Sequence, residues 1–220
     1  MKTQKGFIQG YNAQAVATEN QIVIAAEVTQ DENDLAQLQP MIVAATGNLE
    51  AAGTDAAIGV LLADAGYFTD DNVAPCADGP ELLIATIKDR KQRRDERPAA
   101  RGRIPKGFTS KQRMERKLTT KRGRKLYKKR SQIIEPVFGQ HRMRDLDHFM
   151  RRGRDACDAE WKLENTAHNL LKLWRSGWSD GRSHSGCSSP VQTAVRTGSS
   201  HRRARAVHRA LACPSLRRLA

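Results

Sequence analysis

Residues 56–67 read AAIGVLLADAGY, and this stretch decides the fold of the chain. Its apolar run is rich in Ile, Val and Leu and ends at a turn that contains glycine, which is typical of a strand buried on both faces. Asp64 follows the run. Open α/β sheets bind their ligands beyond the carboxyl ends of the strands, so we expect the Asp64 carboxylate to face a functional site. The alternative is that Asp64 only caps the turn before Tyr67.

Local patterns in the first part of the chain predict alternating strands and helices. Residues 11–17 and 22–28 are strand-like and flank a polar turn, which predicts a hairpin. Asp34 and Gln37 fit a capping box at the start of a helix. Together with the strand in residues 56–67, this order predicts an α/β fold with a mixed sheet flanked by helices.

The charges are unevenly distributed along the 220 residues, whose net charge is +14. Residues 1–85 carry 2 Lys/Arg and 12 Asp/Glu, whereas residues 86–154 carry 25 and 7. This basic segment favours a polyanion partner, most simply double-stranded DNA, because each Lys or Arg placed on a phosphate releases condensed counterions. The alternative is a solvated segment without a specific partner.

Within the basic segment, residues 109–129 are predicted to be helical. Pro136 fits the first position of the next helix, which places Glu135 at that helix's start. Residues 158–174 form an amphipathic helical pattern. Its apolar side chains available for packing are Trp161, Ala167, Leu170, Leu171 and Trp174.

Residues 177–220 have a different composition, dominated by Ser, Gly, Arg, His and Ala. No helical or strand period persists there, so we expect a disordered basic tail. The abrupt change after Trp178 would also fit an out-of-frame reading. The predicted organisation is one domain over residues 1–176 followed by this tail.

Cysteine spacing and the absence of long apolar runs indicate the cellular compartment. The 4 cysteines form no C-x-x-C pair, which indicates a reduced protein without a zinc site. The start, MKTQKGFIQG, lacks the apolar core of a signal peptide, and no run approaches the ~20 apolar residues that span a bilayer. We expect a soluble, cytoplasmic, nucleoid-associated protein with no membrane partner.

Five short motifs follow one another in a defined order within residues 1–176. In that region the chain resembles the C-terminal part of the bacterial insertion-sequence transposases of the DDE type. The matching motifs are GYNAQ (10–14), EVT with ND (27–29 and 33–34), ADAGY (63–67), EPVFGQ (135–140) and HNLLKL (168–173).

The resemblance implies a ribonuclease H-like catalytic domain whose acidic residues bind two Mg²⁺ or Mn²⁺ ions, cleave DNA at the ends of a mobile element and join those ends to a target. Asp64 and Glu135 match two of these acidic residues and are the expected catalytic metal ligands. Hard oxygen ligands suit Mg²⁺, and two such ions support in-line displacement at phosphorus. The family's first acidic residue precedes the segment matching Met1, so the resemblance implies an N-terminally truncated, incomplete sheet and an inactive copy.

The family also has a Tyr-Arg-Glu-Lys signature, which this chain matches in order and with Arg142 in place of the Lys. Arginine clamps phosphate through bidentate contacts. For Arg130 and Arg142, the alternative is solvent-facing charge. The residues expected to contact DNA are Tyr127, Lys128, Lys129, Arg130 and Arg142.

Other interpretations stay open beside a transposase. One is a non-catalytic DNA-binding remnant that uses residues 86–154 without nuclease or strand-transfer activity. A basic RNA-binding protein is disfavoured because no aromatic-rich RRM or KH motif is present. A homodimer on DNA is a possible assembly. Asp34 matches a family residue, but its capping-box context favours a structural role.

Overall fold

A computed structural model describes residues 2–3, 6–7, 10–73, 79–87, 98–145, 148–176 and 191–197 of the chain. The strands are β1 (Lys2–Thr3), β2 (Gly6–Phe7), β3 (Asn12–Thr18), β4 (Val23–Thr29), β5 (Ile58–Ala63), β6 (Glu81–Ile84) and β7 (Val191–Thr197). The helices are α1 (Leu38–Ala51), α2 (Asp70–Val73), α3 (Ser110–Thr119), α4 (Lys121–Met143) and α5 (Arg154–Arg175), and a 3-10 turn covers Ala65–Tyr67. The predicted α/β class is confirmed.

The main sheet is mixed and has the strand order β4-β3-β7-β5-β6, while β1 and β2 form a separate two-stranded sheet. The hairpin strands β3 and β4 are antiparallel, and β3 is also antiparallel to β7. Strand β5 runs parallel to both β6 and β7. Consequently β4, β5, β6 and β7 all end on one side of the sheet, which we call the carboxyl edge.

Both faces of the central strands are covered. Every residue of β3 from Asn12 to Ala17 is buried, and so are the last four residues of β5. Strands buried on both faces lose the alternation of apolar and polar residues. This explains why β5 reads as the continuous apolar run IGVLLA.

The basic segment folds into two helices joined by a sharp corner. Thr120 ends α3 and caps α4, because its Oγ1 accepts a hydrogen bond of 2.9 Å from the backbone N–H of Gly123. Helix α4 then continues to Met143 with Pro136 inside it. The prediction that a helix begins at Pro136 is therefore wrong, and Glu135 lies in a helix interior.

Helix α5 buries a different face from the one that the apolar pattern predicts. Trp161 is fully buried as expected. Leu170 and Trp174, however, are 62% and 70% exposed. The buried positions on this helix include polar side chains, namely Glu164, Asn165 and His168. None of the helices in the described ranges has the length and apolar character needed to cross a membrane.

Residues 191–197 form β7, which pairs with β3 on one side and β5 on the other. Thr193 and Ala194 are fully buried there. The expectation of disorder is thus wrong for these seven residues. The rest of the predicted tail lies outside the described residues, and the domain boundary at residue 176 stays a prediction.

Candidate metal and DNA site

Asp64 lies at the carboxyl edge of the sheet, immediately after β5. Its Oδ1 accepts a hydrogen bond of 2.9 Å from the backbone N–H of Gly66, and it thereby caps the 3-10 turn. The carboxylate is half-buried. The predicted cap is therefore present, and the same bond fixes the carboxylate in a defined orientation at the edge where α/β folds bind ligands.

A second carboxylate reaches the same edge from the turn that follows β4. Oδ1 of Asp34 accepts hydrogen bonds from Asn12 Nδ2 at 2.7 Å and from Gln14 Nε2 at 3.2 Å. The predicted capping box is wrong, because Gln37 takes the N-cap position of α1 and no side-chain cap bond forms there. Asp34 is instead joined to the start of β3.

Gly66 lies beside both carboxylates. A Cβ built on this glycine would lie 3.1 Å from Asp34 Oδ2 and 3.1 Å from Asp64 Oδ1. The distance between Asp34 Oδ2 and Asp64 Oδ1 is therefore at most twice 3.1 Å. The structure thus brings Asp64 together with Asp34, which the sequence pattern had assigned to a helix cap.

Buried hydrogen bonds link the Tyr67 hydroxyl to the side-chain amides of Gln14 and Asn12. The hydroxyl of Tyr67 donates to Gln14 Oε1, and Gln14 Nε2 donates to Asn12 Oδ1 at 3.1 Å. Tyr67 is fully buried. Burial, followed by the nearby charges of Asp34 and Asp64, raises the pKa of Tyr67 well above its usual value. The phenol therefore stays protonated and remains a hydrogen-bond donor.

Helix α4 brings Arg130 and Tyr127 to this region. Each is 3% exposed, and the Arg130 guanidinium carbon lies 5.9 Å from the centroid of the Tyr127 ring. The positive charge of Arg130 lowers the pKa of Tyr67 against the larger effect of burial. Both side chains therefore lie inside the fold, where Arg130 contributes positive charge near the acidic pair.

Glu135 is half-buried on the same helix, five residues after Arg130. At 3.6 residues per turn, five residues correspond to about 140° around the helix axis. Glu135 therefore leaves the helix on a different side from Arg130. Within the described ranges, no three His, Cys, Asp or Glu side chains form a group that could hold a metal ion.

The other predicted DNA contacts lie on the outside of α4. Lys128 and Arg142 are exposed, while Lys129 pairs with Glu19 at 2.6 Å. Lys128 continues an exposed row formed with Lys121 and Lys125, at helical spacings of four and three residues. We call these three residues the lysine row. The row was not predicted from the sequence, although spacings of four and three residues place side chains on one face of a helix.

The chain is similar to a known protein family. The family model of the transposase DDE domain matches residues 1–170. No curated protein and no solved structure gave a significant match to the chain. The α/β architecture with a mixed five-stranded sheet agrees with a ribonuclease H-like domain. Since the matched residues make up well over half of the 220, the chain belongs to the transposase DDE domain family.

Proposed function

We propose that the chain acts in DNA transposition through metal-dependent cleavage and strand transfer at the ends of an insertion sequence. The observation that carries this proposal is the position of Asp64. Its carboxylate follows β5 at the carboxyl edge and is oriented by the N–H of Gly66. Family membership supports the same reaction class, because DDE transposases act on DNA with divalent metal ions.

The donor chemistry at Asp64 fits a divalent ion. Mg²⁺ and Mn²⁺ prefer hard oxygen ligands, and Mg²⁺ is commonly held by one or two carboxylates together with phosphate oxygens. Gly66 leaves open the space that a Cβ would fill beside the Asp64 carboxylate. We assign Asp64 and Glu135 as metal ligands. A divalent ion held by these two residues would supply charge stabilisation at the reacting phosphorus.

The basic surface of α4 would hold the duplex against this edge. Lys128 and Arg142 are exposed and available to phosphates, whereas Lys129 reaches phosphate only after leaving Glu19. Arg130 and Tyr127 are buried, so we assign them a role in fixing the position of α4 and the charge near Asp64. Double-stranded DNA is the proposed partner, and a homodimer on DNA is the proposed assembly.

The test is a cleavage and joining assay with the purified 220-residue chain and labelled duplexes taken from the DNA that borders its own reading frame. The proposed activity predicts strand cleavage or joining with Mg²⁺ or Mn²⁺ that Asp64→Asn and Glu135→Gln each abolish, whereas an inactive copy leaves the duplexes intact. Asp155→Asn is a matched control, because that side chain is 95% exposed on α5. Cleavage that both variants retain would overturn the catalytic assignment.

A second candidate function, DNA binding without cleavage, is supported by the lysine row. Its three cations project from one side of α4 and need no metal ion to contact phosphate. This function predicts that the wild-type chain binds the same duplexes but leaves them intact in Mg²⁺ and Mn²⁺. Asp64→Asn would then bind DNA as tightly as the wild type.

A further inference from the structure

We propose that Asp34 is a further divalent-metal ligand, paired with Asp64 across the space that Gly66 leaves open. This inference rests on the proposed function, since the ion concerned is the one that the transposition chemistry requires. It adds a ligand from the turn after β4 to the pair assigned above. Three features support it: the orientation of the Asp34 carboxylate, the space beside Gly66 and the negative charges of Asp34 and Asp64.

The two oxygens of Asp34 have different surroundings. Oδ1 is held by the side-chain amides of Asn12 and Gln14, at 2.7 Å and 3.2 Å. Oδ2 lies on the side of Gly66, 3.1 Å from the position of a Cβ on that residue. Carboxylates that ligate metals are commonly hydrogen-bonded by neighbouring groups that fix their orientation. Asn12 and Gln14 fit that role, and both are fully buried.

Gly66 has no backbone reason to be glycine. Among the described residues, the glycines with positive φ are Gly53, Gly102 and Gly153, and Gly66 is not one of them. An alanine could therefore adopt its backbone conformation. Its Cβ, however, would lie 3.1 Å from an oxygen of each carboxylate, which is closer than ordinary van der Waals contact. The missing side chain keeps open the space between the two acids.

Carboxylate oxygens are the hard donors that Mg²⁺ and Mn²⁺ prefer, and a divalent cation bound there would be attracted to both acids. Asp34 and Asp64 follow two different strands, β4 and β5, that end at the same edge, so the backbone holds the pair in place. Asn12 at the start of β3 adds a third fixed element to the same edge.

The competing explanation is that Asp34 only anchors the turn between β4 and α1. Asp34→Asn separates the two roles, because an asparagine carbonyl oxygen still accepts from Asn12 and Gln14 while the ligand charge is removed. Gly66→Ala is an independent variant that keeps both carboxylates and fills the space between them. Asp155→Asn again serves as the exposed control.

The experiment is a titration of each purified full-length variant with Mn²⁺ alone, in which electron paramagnetic resonance reports the free ion. Wild type and Asp155→Asn are expected to bind with equal affinity. We expect Asp34→Asn and Gly66→Ala to weaken binding at least about tenfold. Thermal unfolding without metal checks that each variant is folded, and Asp34→Ser, which also removes the ligand charge, decides the question if Asp34→Asn does not fold.

The outcomes separate this inference from the proposed function. If Asp64→Asn loses Mn²⁺ binding while Asp34→Asn and Gly66→Ala keep wild-type affinity, the role of Asp34 is overturned and the proposed function stands. If the wild type binds no Mn²⁺, both fail. Loss of binding in Asp34→Asn and Gly66→Ala with unchanged melting in the absence of metal supports the paired site.

Discussion

The side-chain amide of Asn169 forms two hydrogen bonds with the backbone of Val23 at the outer edge of the sheet. Its Oδ1 accepts from Val23 N at 2.8 Å, and its Nδ2 donates to Val23 O at 2.7 Å. Further along β4, Asp158 Oδ1 accepts from Val28 N at 2.9 Å. A terminal strand otherwise presents unpaired N–H and C=O groups to other chains. Helix α5 therefore protects the edge that β4 would expose.

Replacing Asn169 by alanine should destabilise the fold, because two backbone groups at the sheet edge lose their partners. We expect the free energy of unfolding to fall by about 1–3 kcal/mol, measured by urea denaturation. Thr166→Ala on the exposed side of α5 is the matched control, with an expected change within about 0.5 kcal/mol. Equal losses in the two variants would show that Asn169 has no special role at the edge.

The corner between α3 and α4 leaves no room for a side chain at residue 123. A Cβ on Gly123 would lie 2.0 Å from the carbonyl oxygen of Lys117. Gly123→Ala should therefore lower the free energy of unfolding by about 1–3 kcal/mol or more. On the same helix, Gly139 has open space around it, so Gly139→Ala should stabilise by roughly 0.5–1 kcal/mol. Thermal unfolding measures both, and a Gly123→Ala variant as stable as the wild type would contradict the close corner.

The strands were predictable because their signals are local. The predicted hairpin strands, 11–17 and 22–28, each lie one residue before the observed β3 and β4. Strand β5 lies within residues 56–67, as its apolar run predicts. Thr109, the first residue of the predicted helical segment 109–129, caps α3 and forms a capping box with Gln112.

The remaining features depend on contacts between residues distant in sequence. Asp34 bonds to Gln14, 20 residues away, and these partners outcompete the local capping box. Strand β7 joins the sheet by pairing with β3 and β5, and no strong period in VQTAVRT indicates this. Asp64 was identified because a local apolar run precedes it, whereas the proximity of Asp34 to it required the strand order.

His168 should make stability depend on pH. Its ring is fully buried and its Nε2 donates to Gln21 O at 2.9 Å. Burial lowers the pKa of His168 most; the bond to Gln21 opposes this, and the charges of Lys172 and Arg144 add to the lowering. The ring of His141, another titratable group, lies 5.5 Å away. The folded chain therefore binds fewer protons at His168 than the unfolded chain.

Because the unfolded chain binds more protons at His168, the folded chain loses stability as the pH falls. The contribution of neutral His168 is complete above about pH 6.5, the ordinary value for histidine, and is lost as the pH falls toward the lowered pKa. Each unit of lowering corresponds to roughly 1.4 kcal/mol. Urea denaturation between about pH 5 and 8 should show a shallower dependence for His168→Gln than for the wild type. His148→Gln is the control, and an unchanged slope in His168→Gln would contradict the prediction.

Neutralising the lysine row should weaken DNA binding and its dependence on salt. Each phosphate that the protein no longer neutralises lowers the magnitude of the slope of log K against log salt by about 0.9. The variant with Lys121, Lys125 and Lys128 all changed to alanine should therefore bind a labelled duplex with a visibly flatter slope in fluorescence anisotropy from about 50 to 200 mM salt. Lys162→Ala is the matched control, because Lys162 is already paired with Glu27 and Asp158 on α5. A triple variant with the wild-type slope would show that DNA does not contact this side of α4.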